Sequence, residues 1–219
     1  MRTNRIKYIS ALFFFTCLLF PHIPILKAQP KGYTAVTNEE QFSIQLNKFT
    51  SDLQTIQAEF TQEKHLQYLE TGLKSKGMFW FKSPNSVRWE YHAPYEYILL
   101  LNDGKLKMIS ESSSNEFDTR NNEMFKQVND MILGAVSGKI YQQDNYDINT
   151  FENNDRYLVV LKPSADYIKE LIDKIELYFD KKNYTVVEIK MIEVSNDYTV
   201  IRFSNQLINE ILPENIFSP

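Results

Sequence analysis

The side chains that most often bind metals or transfer protons are scarce in this sequence. It contains three histidines, and only His65 and His92 lie beyond the N-terminal apolar segment. A zinc site needs at least three nitrogen, sulfur or oxygen ligands, and histidine ligands are commonly closely spaced along the chain. His65 and His92 form no such pair. We therefore predict no metal site and expect both histidines on the surfaces of strands.

Nucleophilic catalysis by a serine has little more support in the sequence. The segment 134–138, GAVSG, superficially resembles a nucleophile elbow, but two residues precede Ser137 where the motif has one. Residues 112–114 are serines with no base near them in sequence, and no carboxylate pair stands in an evident apolar pocket. With only 6 glycines in the chain, a glycine-rich phosphate loop is not expected. We predict that the protein is not an enzyme and uses no cofactor, although an unrecognised hydrolase stays open.

The most informative stretch is apolar. Residues 79–91, FWFKSPNSVRWEY, have the pattern of a β-hairpin that turns at residues 82–85. A sheet with one solvated face shows alternating apolar and polar residues, whereas this stretch and residues 95–101 are apolar on both faces. The second face must contact a helix, another sheet or an apolar ligand. A sheet that is simply buried on both faces is the alternative.

The chain contains segments with the 3.6-residue apolar period of helices and segments with the two-residue period of strands. Apolar spacing predicts a first helix over 39–53 with Thr37 as its cap, a second starting near Asn121 and Asn122 and ending at Gly138, and a short third one over 164–172. Residues 111–115 read as a polar loop. About eleven strands are predicted, over 56–61, 72–81, 87–91, 95–101, 105–110, 117–119, 146–151, 157–161, 174–179, 185–194 and 198–203.

This order predicts a mainly β fold with some α. A twisted antiparallel sheet of about eleven strands curls toward an open, half-closed barrel. The two or three helices are amphipathic, and the concave face of the sheet is the large surface on which their apolar stripes can pack.

The N-terminus has the pattern of a secretory signal peptide. Three basic residues precede the apolar run Tyr8–Phe20, and cleavage is expected after Ala28. An uncleaved anchor is the alternative, but the run is shorter than the ~20 residues of a membrane span. The one cysteine, Cys17, lies inside this segment, so residues 29–219 contain no disulfide. We predict a single exported domain over 29–219.

The charge of that domain excludes some partners. Residues 1–28 hold four basic and no acidic residues, which leaves 20 basic and 28 acidic residues and a net charge of −8. An acidic protein has no general affinity for nucleic acid or for anionic lipid headgroups. We therefore expect neither partner.

Several short segments, taken together in their order and spacing, are informative: Ala58–Gln62, Gly77–Asn85, Arg88–Tyr91, Pro94, Asp103–Gly104, Arg202–Asn205 and Leu212–Phe217. Together they resemble the LolA family of periplasmic outer-membrane lipoprotein carriers. The resemblance implies an open β-barrel whose helices form a lid over an apolar cavity. It also implies a monomeric carrier in the periplasm of a Gram-negative bacterium, which takes acylated lipoproteins from an inner-membrane ABC-type release complex and delivers them to an outer-membrane acceptor.

The resemblance also suggests site residues. We expect acyl chains to contact Phe79, Phe81, Trp89, Leu99 and Leu101, although the pattern leaves open which face of each strand points inward. Well-known members place an arginine before the Pro-Asn of the hairpin turn, where it ties the lid to the sheet. Here that position is Ser83, so we expect the lid contact at Arg88 or nowhere. A carrier of another lipid or glycolipid and a lipid-sensing regulatory module on the same fold remain alternative functions.

Overall fold

The computed structural model describes residues 29–118, 130, 133–134, 145–164 and 166–218. The predicted signal peptide lies outside the described residues, as does most of the second predicted helix. Of that helix, Asp130, Leu133 and Gly134 are described, and all three are helical. No helix among the described residues is long and apolar enough to cross a membrane.

The part of the chain that the structure describes is mainly β, with twelve strands and few helical segments. The strands are β1 (Thr34–Ala35), β2 (Thr55–His65), β3 (Leu73–Lys82), β4 (Ser86–Ala93), β5 (Tyr97–Asn102), β6 (Lys105–Ser110), β7 (Ser113–Asp118), β8 (Tyr146–Glu152), β9 (Arg156–Pro163), β10 (Ile172–Asp180), β11 (Val186–Glu193) and β12 (Tyr198–Ile208). Helix α1 spans Glu39–Asp52, and α2 is one turn, Asp166–Lys169.

All twelve strands belong to one antiparallel sheet in the order β1-β8-β9-β10-β11-β12-β2-β3-β4-β5-β6-β7. The sheet is not closed into a barrel: among the described residues, β1 and β7 form its two edges. The predicted open antiparallel architecture is thus confirmed. The one described strand that was not predicted is β1, whose two residues Thr34 and Ala35 pair with Glu152 and Phe151 of β8.

Three local predictions were wrong. The helix expected over 164–172 is a single turn because Ile172 already pairs with Glu193 at the start of β10. The loop expected over 111–115 is a tight turn, since Ser113 pairs with Ser110 in a β6–β7 hairpin. The cap of α1 is Asn38 rather than Thr37, because the Asn38 side chain accepts a hydrogen bond of 2.9 Å from Gln41 N.

Helix α1 covers one half of one face of the sheet, and this face is here called the inner face. Its buried side chains are Phe42, Leu46 and Thr50. Phe42 and Leu46 belong to a core cluster, here called the α1 cluster, with buried residues Tyr146, Val159, Leu161, Ile175, Leu177, Phe179, Val186 and Ile189. The strands beneath α1 are therefore β8–β11, and the packing of this half is that of an ordinary core.

The other half of the inner face carries a second core, here called the hairpin cluster. Its buried residues are Leu53, Ile56, Ala58, Phe60, Phe79, Phe81, Val87, Trp89, Tyr91 and Leu101. Phe49 of α1 and Ile201 and Phe203 of β12 pack against both clusters and join them. Leu133, in the helical segment, packs against the hairpin cluster alone. The two halves thus have different helical cover.

Candidate functional site

The five predicted apolar site residues lie on one face of three adjacent strands. Phe79 is opposite Trp89, and Trp89 is opposite Leu99, so these three form one row across β3, β4 and β5. Phe81, Val87 and Leu101 form a parallel row in the same way. Side chains that are opposite each other in a sheet share a face. All five pack in or against the hairpin cluster, with Leu99 only half-buried.

Both rows continue onto strands that the sequence analysis did not include in the site. Ala58 and Ile56 of β2 are opposite Phe79 and Phe81, and Met108 and Leu106 of β6 are opposite Leu99 and Leu101. Along the predicted strand 56–61, Ile56, Ala58 and Phe60 alternate with polar residues, as in a strand that buries one face. What the sequence did not show is that β2 lies beside β3 on this face.

The hairpin cluster is centred on Trp89. Its ring contacts three phenylalanines at centroid distances of 4.9 Å to Phe79, 5.4 Å to Phe60 and 5.9 Å to Phe203. The first two contacts are edge-to-face, which is a favoured geometry for aromatic pairs. Only 7% of Trp89 is exposed. The indole is therefore fixed from several sides.

The described part of the site is tightly packed, since no buried member of the hairpin cluster is more than 7% exposed. A cavity of about 10 Å³ remains between the two clusters, lined by Phe49, Ile56, Phe79, Thr185, Val186, Phe203 and Gln206. That volume is close to the smallest that holds one water molecule, roughly 10–15 Å³. At the margin of the apolar face, Met108 is 44% exposed. A ligand longer than a few atoms can enter only if side chains over the hairpin cluster move.

One end of the apolar face is polar. The Tyr91 and Tyr97 rings stack at 4.1 Å, and the Tyr91 hydroxyl donates a 2.9 Å hydrogen bond to Gln62. Burial raises the pKa of the Tyr91 hydroxyl far above its ordinary value, and burial likewise raises the pKa of Tyr97. Both phenols therefore stay neutral at physiological pH.

Arg88 lies on the opposite face from these residues. Its side chain pairs with Glu90 at 2.6 Å, lies 6.0 Å from the Trp80 ring and donates a 3.3 Å hydrogen bond to the carbonyl oxygen of Ile216. Burial alone would raise the pKa of Glu90, but the hydrogen bonds from Arg88 and His92 outweigh it and hold that pKa below its ordinary value. In this structure Arg88 contacts the C-terminal tail, residues 209–218, and no described helix.

The outer face of β3–β5 therefore has its own cover. Trp80, Arg88 and Leu100 form one cross-strand row, and Trp80 and Leu100 are buried. The tail crosses this row, since Asn102 also donates a 3.4 Å hydrogen bond to the Phe217 carbonyl. Strands β3–β5 are thus apolar on both faces because each face is covered, the inner face by helical residues and the outer face by the tail.

The two histidines considered as metal ligands lie outside the hairpin cluster. His65 stacks on Tyr198 at 4.4 Å, and His92 contacts Glu90 at 3.1 Å near the surface. No group of three histidine, cysteine, aspartate or glutamate side chains in the described residues could hold a metal ion. Ser137 lies outside the described residues.

Several solved structures are similar to this chain at low sequence identity. One is a LolA superfamily protein from Nitrosomonas europaea, at 12% identity and a TM-score of 0.43, covering 81% of this chain and 97% of that one. Another is the MucA/MucB complex of Pseudomonas aeruginosa, at 12% identity and a TM-score of 0.46, covering 82% and 60%. A third is a putative outer membrane lipoprotein-sorting protein domain from Vibrio parahaemolyticus, at 9% identity and 0.44, covering 81% and 95%.

No curated protein matches the chain significantly. A family model does match, over residues 51–219, and that model describes the outer membrane lipoprotein carrier protein LolA. The matched residues include eleven of the twelve strands, both faces of β3–β5 and the C-terminal tail. The chain therefore belongs to the LolA family.

Proposed function

We propose that this protein carries lipoproteins across the periplasm by holding their acyl chains against the hairpin cluster. It takes them from an inner-membrane ABC-type release complex and passes them to an outer-membrane acceptor, as a monomer and without a cofactor of its own. The single observation that supports this most is the continuous apolar inner face of β2–β6. Its described cover includes a helical segment rather than a second sheet.

Simple energetics show why such a carrier is needed and how it releases cargo. Each buried CH2 group is worth about 0.8 kcal/mol, so one long acyl chain gains on the order of 10 kcal/mol when it leaves water. A carrier must supply most of that gain without exceeding it greatly. The packed, closed form seen here supports this balance, because an empty state that buries its own apolar face competes with the ligand.

Arg88 takes a different role in this proposal from the one expected for a lid arginine. Its contacts with the Ile216 carbonyl and Glu90 fix the tail on the outer face. The tail keeps that face of β3–β5 apart from water while the inner face opens. We therefore propose that Arg88 supports the acyl-binding face indirectly, through the sheet.

Mass spectrometry of lipids and proteins that copurify with the chain tests the function. Protein isolated gently from the periplasm of the native host should carry acylated lipoproteins at close to one per chain. A bound glycolipid or phospholipid without any lipoprotein would instead identify a carrier of another lipid. Protein that carries no acylated molecule, and binds none when a triacylated lipopeptide is added, would contradict the carrier function.

A further inference from the structure

The indole N–H of Trp89 has no hydrogen-bond partner anywhere in the described part of the chain, although the nitrogen is completely buried. Buried polar groups in native proteins are almost always paired. A donor that is left without an acceptor destabilises the structure that contains it. Trp89 therefore carries a polar atom that the closed protein does not use.

The surroundings of Trp89 cannot satisfy that donor well. Its aromatic neighbours are Phe60, Phe79 and Phe203, whose side chains contain no oxygen or nitrogen. An N–H group pointing at an aromatic face makes only a weak contact. A phenylalanine would contribute apolar packing at this position without an unpaired donor, so the indole nitrogen needs another explanation.

We propose that the Trp89 N–H is a hydrogen-bond donor for a carbonyl oxygen of the bound ligand. This inference rests on the proposed function and makes it more specific: the inner face selects acyl chains linked through esters or amides, and not merely long hydrocarbon. When the hairpin cluster opens, the chain packs along the rows that contain Phe79 and Phe81. Its carbonyl group then meets the donor at the centre of the cluster.

Trp80 provides a control within the same chain. Its indole N–H is also buried and without a hydrogen-bond partner in the described residues. It lies on the outer face, in the row with Arg88 and Leu100 beneath the tail. A ligand on the inner face cannot reach it. Trp80→Phe therefore removes an equivalent indole without touching the proposed donor.

The experiment compares two lipopeptides that differ only at the carbonyl. One carries two long chains as esters on a glyceryl-cysteine headgroup, and the other carries the same chains as ethers. Dissociation constants are measured for the wild type, Trp89→Phe and Trp80→Phe. We expect the wild type to prefer the ester about fivefold to tenfold, as one neutral hydrogen bond would give. Trp80→Phe should keep that preference, and Trp89→Phe should lose it through weaker binding of the ester alone.

The outcomes separate this inference from the proposed function. Equal binding of ester and ether by the wild type, or an unchanged preference in Trp89→Phe, would overturn the donor role while leaving the carrier intact. Failure of the wild type to bind either lipopeptide would overturn both.

Fluorescence gives an independent result if Trp89→Phe does not fold. In Trp80→Phe the only tryptophan left is Trp89, because the chain has two. Its emission should move to longer wavelength with the ester relative to the ether, since only the ester presents a carbonyl oxygen to the indole N–H. Identical spectra with the two ligands would overturn the proposal.

Discussion

Gly77 is a residue at which the sheet has no room for a side chain. A Cβ atom built there would lie 1.8 Å from the carbonyl oxygen of Glu90 in β4 and 3.0 Å from the Phe60 ring. The first contact is with backbone, which cannot rotate away. The absent side chain therefore allows β3 and β4 to approach each other beside the aromatic centre of the hairpin cluster.

Gly77→Ala should accordingly destabilise the fold. Because the two strands must separate, we expect a loss of about 3 kcal/mol in the free energy of unfolding, the upper end for overpacking. Urea unfolding followed by circular dichroism measures it. Gly72→Ala is the matched control, since its Cβ would meet side-chain atoms of Glu63 and His65 at 3.1 Å or more. Equal stability of the two variants would show that β3 and β4 adjust freely.

At this scale, sequence pattern identified which residues share a face but not which face is inside. Phe79 and Phe81 alternate with Trp80, and Leu99 and Leu101 alternate with Leu100. All but Leu99 are buried, so hydrophobicity alone could not rank the faces. The two faces differ in the segments that cover them. The outer face is covered by the C-terminal tail, which contacts Asn102 from more than 100 residues further along the chain.

Among the elements, the segment before α1 is attached to strand β8 in part through the carboxylate of Glu152. Glu152 of β8 accepts hydrogen bonds of 2.7 Å from Thr37 N and 2.6 Å from the Lys181 ammonium. These two bonds, led by that from Lys181, lower the pKa of Glu152 to about 2. The carboxylate thus joins the segment before α1 to β8 and to the β10–β11 turn.

Glu152→Gln should lower stability in a pH-dependent way. The folded pKa is below the ordinary value of 4.5, so the charged form stabilises the fold fully above that value, and the effect disappears as pH falls toward 2. We expect a loss of about 1–2 kcal/mol at pH 7. Denaturant unfolding of both proteins at several pH values measures how this difference shrinks below pH 4.5.

The control for this prediction is Glu116→Gln. Glu116 pairs with Lys105 at 2.8 Å, but its side chain is 42% exposed, and such surface pairs contribute little. That variant should change stability much less. A stability difference for Glu152→Gln that stays constant from pH 7 to pH 3 would contradict the role assigned to the charge.

The C-terminal tail is the second element with defined attachments. At its start, the Asn209 side chain accepts a 2.7 Å hydrogen bond from Gln54 N and donates a 2.9 Å bond to the Asp52 carbonyl. Near its end, Arg88 and Asn102 donate to the carbonyls of Ile216 and Phe217. The tail is therefore held at both ends over the outer face.

Arg88→Leu should release the distal end of the tail. We expect cleavage after Glu214 by a glutamate-specific protease to become several-fold faster, measured by intact mass over a time course. Arg202→Leu removes a comparable outer-face arginine, paired with Glu188 at 2.9 Å, that makes no hydrogen bond to the tail. It should leave the cleavage rate unchanged. If both variants are cleaved at the wild-type rate, Arg88 does not hold the tail.

Element prediction succeeded where the pattern was local and strong. The stripe of Phe42, Leu46 and Phe49 predicted α1 to within one residue, and alternating strands such as β2 were recognised. Strand β1 could not be found because its two residues pair with β8, which lies more than 100 residues away. The predicted third helix was too long, since sheet pairing of β10 outweighs helical spacing there.

At the scale of the whole molecule, the described inner face of one sheet supports two unlike cores. The α1 cluster packs under α1, whereas the cover of the hairpin cluster includes a different helical segment, at Leu133. Phe49, Ile201 and Phe203 join the two, and Phe49 and Phe203 border the small cavity between them. We infer that opening over the hairpin cluster can leave the α1 cluster intact.

Export is a further prediction for the whole chain. Protein from the periplasmic fraction should begin near Gln29, because the basic and apolar pattern of residues 1–28 predicts cleavage after Ala28. Intact-mass measurement decides this directly. A mass that retains residues 1–28, or that includes a covalently attached lipid, would contradict the predicted processing.

The most direct test of the account measures lipopeptide binding by two neighbouring variants. Leu99 and Ile98 are both half-buried, but Leu99 is opposite Trp89 on the inner face, while Ile98 is opposite Glu90 on the outer face. Leu99→Lys places a charge against the acyl chain, which costs several kcal/mol, so affinity for a triacylated lipopeptide should fall at least about 30-fold. Ile98→Lys should bind like the wild type. With both variants shown to be folded by circular dichroism, wild-type affinity in Leu99→Lys would contradict acyl binding at the hairpin cluster.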